Sequence, residues 1–478
     1  MLFNSIQFAV FLPIVFALYW IIPHKFRWIL LLAASYWFYM SWKPEYVVLI
    51  LTTTIISYTS ALLMENKPKK IKKYILTASS VICLGILFFF KYFNFFAEFL
   101  CGIIGIFTRK PDPIVLNLIL PVGISFYTFQ TLSYVIDVYK GTSQAERHLG
   151  KYAAFISFFP QLVAGPIERT NNLLPQIKAH HVFDYDKATY GLKIMAWGFF
   201  KKIAVADVLS LYTGQVFGTP EKYRGFSLVL AALMFTLQIY CDFSGYSDIA
   251  VGTAKLFGID LMTNFKSPYF SQSIHDFWNR WHISLSTWFR DYVYIPLGGN
   301  RCSKFRHAFN LIVTFLVSGL WHGANYTFII WGGVHGLGQT LENILISKEN
   351  RESIGYVKWL RIFGVFTFST IAWIFFASSS LNDALYIITH LFDGVSDFAG
   401  YLKSGFDDLN FKNQLLLVSI TVLGFFDYYS LKKDVISVIS SKKKNIRWAA
   451  YVLLVLWTLF NIQTTESDES MAFIYFQF

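Results

Sequence analysis

Apolar stretches of about 20 residues recur along the whole chain and constrain its fold more than any other feature. A helix of that length crosses the hydrocarbon core of a bilayer. Such stretches lie at about 6–22, 27–43, 46–64, 74–92, 114–138, 151–166, 189–216, 226–250, 308–333, 358–377, 413–430 and 447–463. Shorter apolar pieces, predicted to be re-entrant or interfacial, lie near 93–107, 287–297 and 381–393. The pattern predicts an all-α, polytopic membrane protein with about 11 to 13 transmembrane or re-entrant helices.

The composition excludes a soluble globular protein. Only 15% of the residues are charged and 55% are hydrophobic, whereas a soluble domain carries about 25% charged residues. The formal net charge is +12. Its Lys and Arg residues sit between apolar stretches, which is typical of membrane loops rather than of a nucleic-acid-binding surface. We therefore expect contact with membrane lipids and none with nucleic acid.

The four cysteines do not indicate a metal site. They are Cys83, Cys101, Cys241 and Cys302. They form no CxxC pair, and their spacing is not typical of metal ligands. Isolated cysteines of this kind usually pack as small apolar residues. No metal is predicted.

Basic clusters predict the orientation of the chain ends. They lie at 24–27, 67–73 and 442–447, and the positive-inside rule places all three in the cytoplasm. The first apolar stretch has no basic residue before it and no small-residue cleavage site, so we interpret it as a membrane helix rather than a signal peptide. The N-terminus is then outside. Residues 464–478 are predicted to form a short extracytoplasmic tail of a single membrane domain, residues 1–478.

Polar and aromatic residues are concentrated between positions 264 and 339. The first part of this region is crowded with Trp, Arg, His and Asp, which predicts an interfacial or re-entrant element that reaches into the protein. The second part is an apolar stretch interrupted by WHGAN at 321–325. Ionisable groups inside a span are costly and usually face an interior cavity, so His322 is a candidate functional residue. The alternative is a neutral histidine that only hydrogen-bonds a neighbouring helix.

Six motifs are spread over most of the chain. They are MLFNSIQFAVFLPIVFALYW at the start, LPVGISFYTFQTLSYVIDVYKG at 120–141, FFPQLVAGPIER at 158–169, YCDFSGYSDIAVG at 240–252, FWNRWHISLSTWFRDYVYIPLGGNR at 277–301 and GLWHGANYTFIIWGGVHG at 319–336. Together they resemble the membrane-bound O-acyltransferase (MBOAT) family, in its alginate O-acetylation branch. Trp281-His282 and Trp321-His322 resemble the paired polar positions of that family, whose second histidine is generally treated as catalytic.

The resemblance implies an MBOAT-like fold and a defined reaction. An acetyl group would move from cytosolic acetyl-CoA across the membrane for O-acetylation of an extracellular or cell-wall polysaccharide. Acetyl-CoA would be a donor substrate, and no bound cofactor is implied. Membrane proteins of this branch work with an extracytoplasmic SGNH-type acetyltransferase, and this chain has no GDS-type serine block of its own, so such a partner is expected. The implied location is the bacterial cytoplasmic (inner) membrane, with multiple passes.

Other functions stay open at this point. Related proteins serve in peptidoglycan O-acetylation and in teichoic acid D-alanylation, and the sequence does not name the acceptor. A transporter is the main non-enzyme alternative, and a scaffold for an export machine is another. The inverted repeat that marks many transporters is not visible in this sequence.

The reaction implied by the resemblance assigns roles to the two Trp-His pairs. Acyl transfer to oxygen needs a base, a donor to the oxyanion and the exclusion of water. His322 is expected to be the base, uncharged in a water-poor passage that a cytosolic thioester can enter. His282 would orient the acyl group or donate to the oxyanion, with a purely structural role as the alternative. His335 is predicted to be structural.

Further residues are candidates for substrate binding. They are Trp321, Asn325, Asn279, Arg280, Asp242 and Arg290. For Asp242 and Asp248, six residues apart, we weigh two interpretations. They line a broken helix at the cavity, or they form salt bridges to Arg280 or Arg290.

The ending MAFIYFQF carries a separate hypothesis. It resembles the end of the small partner protein of teichoic acid D-alanylation systems, whose terminal tyrosine is assigned as an acyl carrier. Tyr475 would then accept the acetyl group and pass it to an extracytoplasmic transferase. The alternative is an aromatic plug packed at the headgroup level.

Overall fold

Helices are the basic element of this protein. The computed structural model describes residues 1–108, 111–163, 165–346, 353–408, 414–462 and 473. The regular secondary structure of these residues consists of α-helices, π-helical segments and 3-10 turns, and the described part contains no β-strand. The predicted all-α fold class is confirmed.

The α-helices are numbered in chain order. They are α1 (Ile6–Ile21), α2 (His24–Met40), α3 (Val47–Met64), α4 (Lys69–Lys91), α5 (Phe93–Phe107), α6 (Ile124–Lys140), α7 (Leu149–Ser157), α8 (Thr170–Lys178), α9 (Tyr185–Phe199), α10 (Asp207–Gly218), α11 (Phe226–Leu256), α12 (Ile274–Arg280), α13 (Ile283–Phe289), α14 (Lys304–His322), α15 (Tyr326–Leu345), α16 (Gly355–Ala377), α17 (Leu381–His390), α18 (Phe398–Asp408), α19 (Gln414–Ser430), α20 (Val435–Ser440) and α21 (Lys444–Ile462). Two π-helical segments, Phe200–Ala206 and Arg290–Tyr294, continue α9 and α13. Short 3-10 turns lie at Pro44–Tyr46, Pro220–Lys222 and Pro268–Phe270.

Several helices are suited to cross a membrane. By length and composition, five helical segments among the described residues qualify, and they are Pro44–Met64, α4, α11, α16 and α21. Three shorter apolar helices accompany them, at Ile6–Ile21, Phe93–Phe107 and Leu416–Ser430. The protein is therefore a multi-pass membrane protein, as the apolar stretches predict.

Some predicted spans are interrupted by backbone chemistry. The stretch predicted from 114 becomes helical only at Ile124, because Pro121 lacks an amide hydrogen and Gly123 is in the left-handed region at φ 75°. In the stretch predicted at 151–166, the helix ends at Ser157. Pro160 lies shortly after that end, and a proline disfavours helical backbone in the residue before it. These two predicted bounds are wrong. The length of an apolar stretch does not by itself show where the helix within it begins or ends.

The chain forms two compact units. One comprises residues 1–195 with 249–262, here called the N-terminal unit, and the other comprises 196–248 with 263–478, here called the C-terminal unit. The N-terminal unit is held by buried polar contacts such as that of the Tyr152 hydroxyl, which donates to Ser57 Oγ over 2.6 Å. A single membrane domain over the whole chain stays a prediction.

Glycines bring α14 and α15 of the C-terminal unit into backbone contact. A Cβ on Gly319 would lie 2.2 Å from the carbonyl oxygen of Phe328, and one on Gly332 would lie 2.2 Å from that of Phe315. No side chain fits at those distances, so the two backbones approach as small residues allow between membrane helices. The predicted stretch 308–333 is thus a helical hairpin, and its turn follows His322.

We predict that the backbone contact between α14 and α15 cannot accommodate an added methyl group. Gly332→Ala should destabilise the protein by about 1–3 kcal/mol, because the added carbon must push α14 and α15 apart. Gly333→Ala is the matched control, since its Cβ would meet nothing closer than Leu316 Cδ2 at 3.6 Å, and alanine favours a helix by about 1 kcal/mol over glycine. Thermal unfolding in detergent measures both. Equal melting temperatures for the two variants would contradict the packing argument.

Candidate active site

His322 is the last residue of α14 and lies among aromatic rings. Gly323 follows it in an extended conformation, with φ −164° and ψ 154°, and ends the helix there. The imidazole centroid lies 4.9 Å from that of Trp321, 5.0 Å from Trp331 and 5.3 Å from Phe376. The residue is 3% exposed. The histidine inside the predicted span is therefore buried in the protein and does not face lipid.

His282 lies in the same aromatic surroundings. It is fully buried and precedes α13 in the left-handed backbone region, at φ 42° and ψ 53°. Its imidazole centroid is 4.5 Å from the ring of Phe243 and 6.2 Å from Trp321. The Trp321 indole therefore neighbours both imidazoles. The structure brings together the two Trp-His pairs that the sequence separates by 40 residues.

Indole rings form the walls of this site. Trp373 lies 4.9 Å from Trp281 and 5.5 Å from Trp331, measured between ring centroids. We call Trp281, Trp321, Trp331, Trp373 and Phe376 the aromatic cluster. All five side chains are buried or nearly so.

His335 belongs to the support of this cluster. Its Nδ1 accepts a hydrogen bond of 3.3 Å from Trp278 Nε1. Its ring stacks against Phe277 at a centroid distance of 6.2 Å and lies 5.0 Å from Trp331. These are the contacts that the predicted structural role of His335 requires.

A cavity of about 730 Å³ opens beside the cluster in the C-terminal unit. Its walls come from α12, α13, α14 and α15, and they include Asn279 and Arg290, two of the predicted substrate-binding residues. Other polar groups on the walls are His275, Asp276, Ser286, Thr287, Asn300, His307, Gln339 and Asn343. Along α14, the described lining ends at Ser318, four residues before His322. His322 itself is not among the described lining residues.

Two predicted substrate-binding residues have partners near this cavity. Arg280 Nε donates to Asp276 Oδ1 over 2.7 Å, one turn back on α12, and Asp276 lines the cavity. Arg290 Nε donates to Asp291 Oδ1 over 2.8 Å. Both guanidinium groups are partly exposed, so each retains donors that another anion can use.

Asn325 serves the turn of the α14–α15 hairpin. Its Oδ1 accepts from the Thr327 amide over 3.1 Å and caps α15. Its Nδ2 donates to the carbonyl oxygen of Ser379 over 2.8 Å. Asn325 thus holds the segment that follows His322, and its predicted contact with substrate stays a prediction.

Asp242 is engaged in a buried ion-pair network, which corrects the predicted partners. Lys202 Nζ lies 2.7 Å from Asp242 Oδ1 and 2.8 Å from Asp207 Oδ1, and all three side chains are buried. Asp248 pairs with Lys201 over 2.7 Å. Salt bridges to Arg280 or Arg290 were therefore the wrong expectation. The predicted break is also wrong, since α11 is continuous from Phe226 to Leu256.

The π-helical segment after α9 explains this pairing and was missed by sequence reasoning. The wider turn buries Lys201 and Lys202 side by side against carboxylates of α11. Lys201 also donates to Ser244 Oγ over 2.9 Å. The available signal was two adjacent lysines inside an apolar stretch, because buried lysines need nearby carboxylates.

A further buried pair links the network to the aromatic cluster. The Tyr240 hydroxyl donates to Asp427 Oδ2 over 2.7 Å, and the Lys201 ammonium lies 5.8 Å from the Tyr240 ring centroid. The same ring is 6.2 Å from that of Trp281. Sequence reasoning did not single out Tyr240 or Asp427.

Phe473 is the described residue of the predicted C-terminal tail, and it packs near this site. Tyr475 lies outside the described residues, whereas Phe473 is described and 1% exposed. The Phe473 ring packs against Tyr246 at 4.8 Å and against Phe243 at 5.7 Å between centroids. Phe243 is the residue that touches His282. Phe473 therefore lies near the His282 side of the site.

Comparison with known proteins identifies the family. The model of the membrane-bound O-acyltransferase family matches residues 146–382. The probable alginate O-acetylase AlgI of Azotobacter vinelandii is 39% identical over 90% of this chain and 86% of its own length. The chain belongs to the membrane-bound O-acyltransferase family.

Two further relatives match over most of their length. The probable alginate O-acetylase AlgI of Pseudomonas putida is 36% identical, with both chains covered in full. The peptidoglycan O-acetyltransferase of Helicobacter pylori is 34% identical over 81% of this chain and 79% of its own. The protein is therefore an enzyme, a membrane O-acyltransferase that needs an acyl donor.

We predict that the buried ion pairs are needed for stability. Lys202→Met should cost about 3–5 kcal/mol, because it leaves the carboxylates of Asp207 and Asp242 buried without their cation. Lys187→Met is the control, since Lys187 pairs with Asp260, whose side chain is 53% exposed, and such surface pairs contribute about 0–1 kcal/mol. Denaturant unfolding in detergent measures both. A Lys202 variant as stable as the Lys187 variant would show that Lys202 is dispensable.

Proposed function

We propose that this chain moves acetyl groups from cytosolic acetyl-CoA through the membrane for O-acetylation of an extracytoplasmic polysaccharide of the alginate type. The similarity to relatives named alginate O-acetylase, over 90% and 100% of the chain, supports the reaction class. The observation that carries the site is the arrangement of His282 and His322 against Trp321, in the same unit as a polar-lined cavity.

His322 is the base in this proposal. Its neutral imidazole takes the proton of the acceptor hydroxyl as the oxygen bonds to the thioester carbonyl carbon. The tetrahedral intermediate carries its negative charge on the former carbonyl oxygen. When the carbon–sulfur bond breaks, the CoA thiolate leaves with the electron pair and takes the proton from the imidazolium. No net proton is gained or lost.

His282 is the donor to the oxyanion. A neutral imidazole has one N–H, and burial among aromatic rings strengthens its hydrogen bond to a developing charge. The Trp321 indole neighbours both His282 and His322. A base and a donor that share one aromatic neighbour suit an acyl carbon held near both.

The cavity is the proposed entry for acetyl-CoA. Arg280 and Arg290 are suited to its phosphates, because guanidinium groups bind phosphate oxygens with paired hydrogen bonds. Asn279 adds an amide on the same wall. The thioester reaches His322 when the side chains between Ser318 and the aromatic cluster shift, a motion of the kind that closes many active sites to water.

Tyr475 is the proposed carrier of the acetyl group on the outer side. Its phenol oxygen would be the acceptor for acetyl-CoA, and a second transfer would deliver the acetyl group to the polysaccharide through an extracytoplasmic SGNH-type acetyltransferase. The anchoring of Phe473 next to the neighbour of His282 supports this order. The proposal places residues 1–478 in the bacterial inner membrane as one domain, with 464–478 outside.

Peptidoglycan is the second candidate acceptor. The Helicobacter pylori relative named peptidoglycan O-acetyltransferase is similar over 81% of this chain, compared with 90% and 100% for two relatives named alginate O-acetylase. In the proposed order, a sugar hydroxyl of either polymer reacts only at the extracytoplasmic transferase, so the chemistry at His322 is the same for both acceptors.

We predict that His322 is needed for chemistry and His335 for folding. His322→Gln should lower acetyl-CoA turnover by about 10²–10⁴-fold with little loss of stability, because only the base is removed. His335→Gln should instead lower the melting temperature, since it disturbs the Trp278 contact, while turnover per folded molecule stays within about threefold. Both are measured on purified protein in nanodiscs with labelled acetyl-CoA. Full turnover by His322→Gln would exclude the proposed base.

We also predict that Tyr475→Phe abolishes polymer acetylation and leaves the fold unchanged, because only the phenol oxygen can be acetylated. Wild-type protein incubated with labelled acetyl-CoA should retain acid-precipitable label that the variant lacks. Tyr429→Phe, an exposed tyrosine of α19, is the matched control and should behave as wild type. Undiminished acetylation in the Tyr475 variant would rule out the carrier role.

A further inference from the structure

His282 has an unusual backbone conformation for a residue that starts a helix. It lies in the left-handed region at φ 42°, immediately before α13. That conformation is unfavourable for a residue other than glycine. Such a conformation persists only where the surrounding structure enforces it. Contacts from neighbouring segments must therefore hold the backbone of His282 in place.

The side chain of His282 does not cap its own helix. A residue at this position usually has an extended backbone and accepts a first-turn amide with its side chain. His282 makes no such contact, and only its carbonyl oxygen joins the helix, accepting from the Ser286 amide over 2.9 Å. The other amides at the start of α13 need partners from elsewhere.

Asn264 supplies those partners. Its carbonyl oxygen accepts the Ile283 amide over 2.9 Å, and its Oδ1 accepts the Ser284 amide over 3.2 Å. Asn264 is 1% exposed. On the other side of His282, the Lys266 amide donates to the Arg280 carbonyl over 3.0 Å. The segment 264–266 thus holds the backbone both before and after His282.

We propose that Asn264 is a positioning residue for His282. By capping α13 from a distant part of the chain, it frees the imidazole from the usual capping role. The ring can then lie between Phe243 and Trp321, at 4.5 and 6.2 Å. Its effect on the reaction rests on the proposed function, whereas its effect on the backbone at His282 does not.

The chemistry of Asn264 allows a conservative substitution. Its Nδ2 makes no hydrogen bond within the described residues. Asn264→Asp therefore removes no contact of that group and keeps the Oδ1 acceptor for Ser284. Asn264→Leu keeps the number and branching of the side-chain heavy atoms and removes the acceptor. Asn461→Leu is the control for loss of a buried amide, since Asn461 is 2% exposed on α21 and donates to the Trp457 carbonyl over 2.8 Å.

Hydrogen exchange of the purified protein in nanodiscs tests the backbone role without any activity. In Asn264→Leu, amides of residues 282–289 should exchange at least about tenfold faster than in wild type, because the first turn of α13 loses its cap. Asn264→Asp and Asn461→Leu should exchange these amides at the wild-type rate. Unchanged exchange in Asn264→Leu, or exchange in Asn264→Asp as fast as in Asn264→Leu, would overturn the proposal.

Turnover of acetyl-CoA separates this inference from the proposed function. Asn264→Leu should lower the maximal turnover by about 10- to 100-fold, because small displacements of a reacting group cost that much, with KM for acetyl-CoA within about threefold of wild type. Asn264→Asp should restore most of the turnover. Failure of the wild-type protein to use acetyl-CoA would defeat the proposed function, and hydrogen exchange would still decide whether Asn264 holds the backbone at His282.

Discussion

Close backbone contact between α14 and α15 is the constraint on which the candidate active site depends. Gly319 and Gly332 permit an approach that any Cβ would prevent. The hairpin places His322 at its turn, and Trp321 and Trp331, one from each of its helices, both pack against the imidazole. A membrane offers no hydrophobic driving force between helices, so packing of this kind has to supply the stability. The same contact that stabilises the unit therefore positions the proposed base.

The polar chemistry of the C-terminal unit is divided between two kinds of surroundings. The carboxylates of α11 are paired with buried lysines, which removes the cost of isolated charges in an apolar interior. The two imidazoles lie instead among aromatic rings. Tyr240 touches both regions through Asp427 and Trp281. The positive charges of the buried lysines are thus paired with carboxylates, apart from the two imidazoles.

Sequence reasoning found the two histidines because both stand in unusual contexts. His322 interrupts an apolar stretch, and His282 follows a tryptophan in a polar, aromatic segment. It did not predict that Lys201 and Lys202 pair with carboxylates, and it did not single out Asp427, because a partner far away in the chain leaves no local pattern. It also assigned Asp242 to arginines that are near in sequence to His282. The actual partner is a lysine that a π-helical turn buries.

The sequence by itself determined that this chain is helical and multi-pass, because stretches of apolar residues can satisfy their backbone hydrogen bonds in a bilayer only as helices. Its motifs also determined the family. The tertiary structure alone decided which polar residues meet. Asn264 caps a helix that starts 19 positions later, and Phe473 packs beside a ring on α11. Such contacts depend on the packing of distant segments, and composition and periodicity record only local preferences.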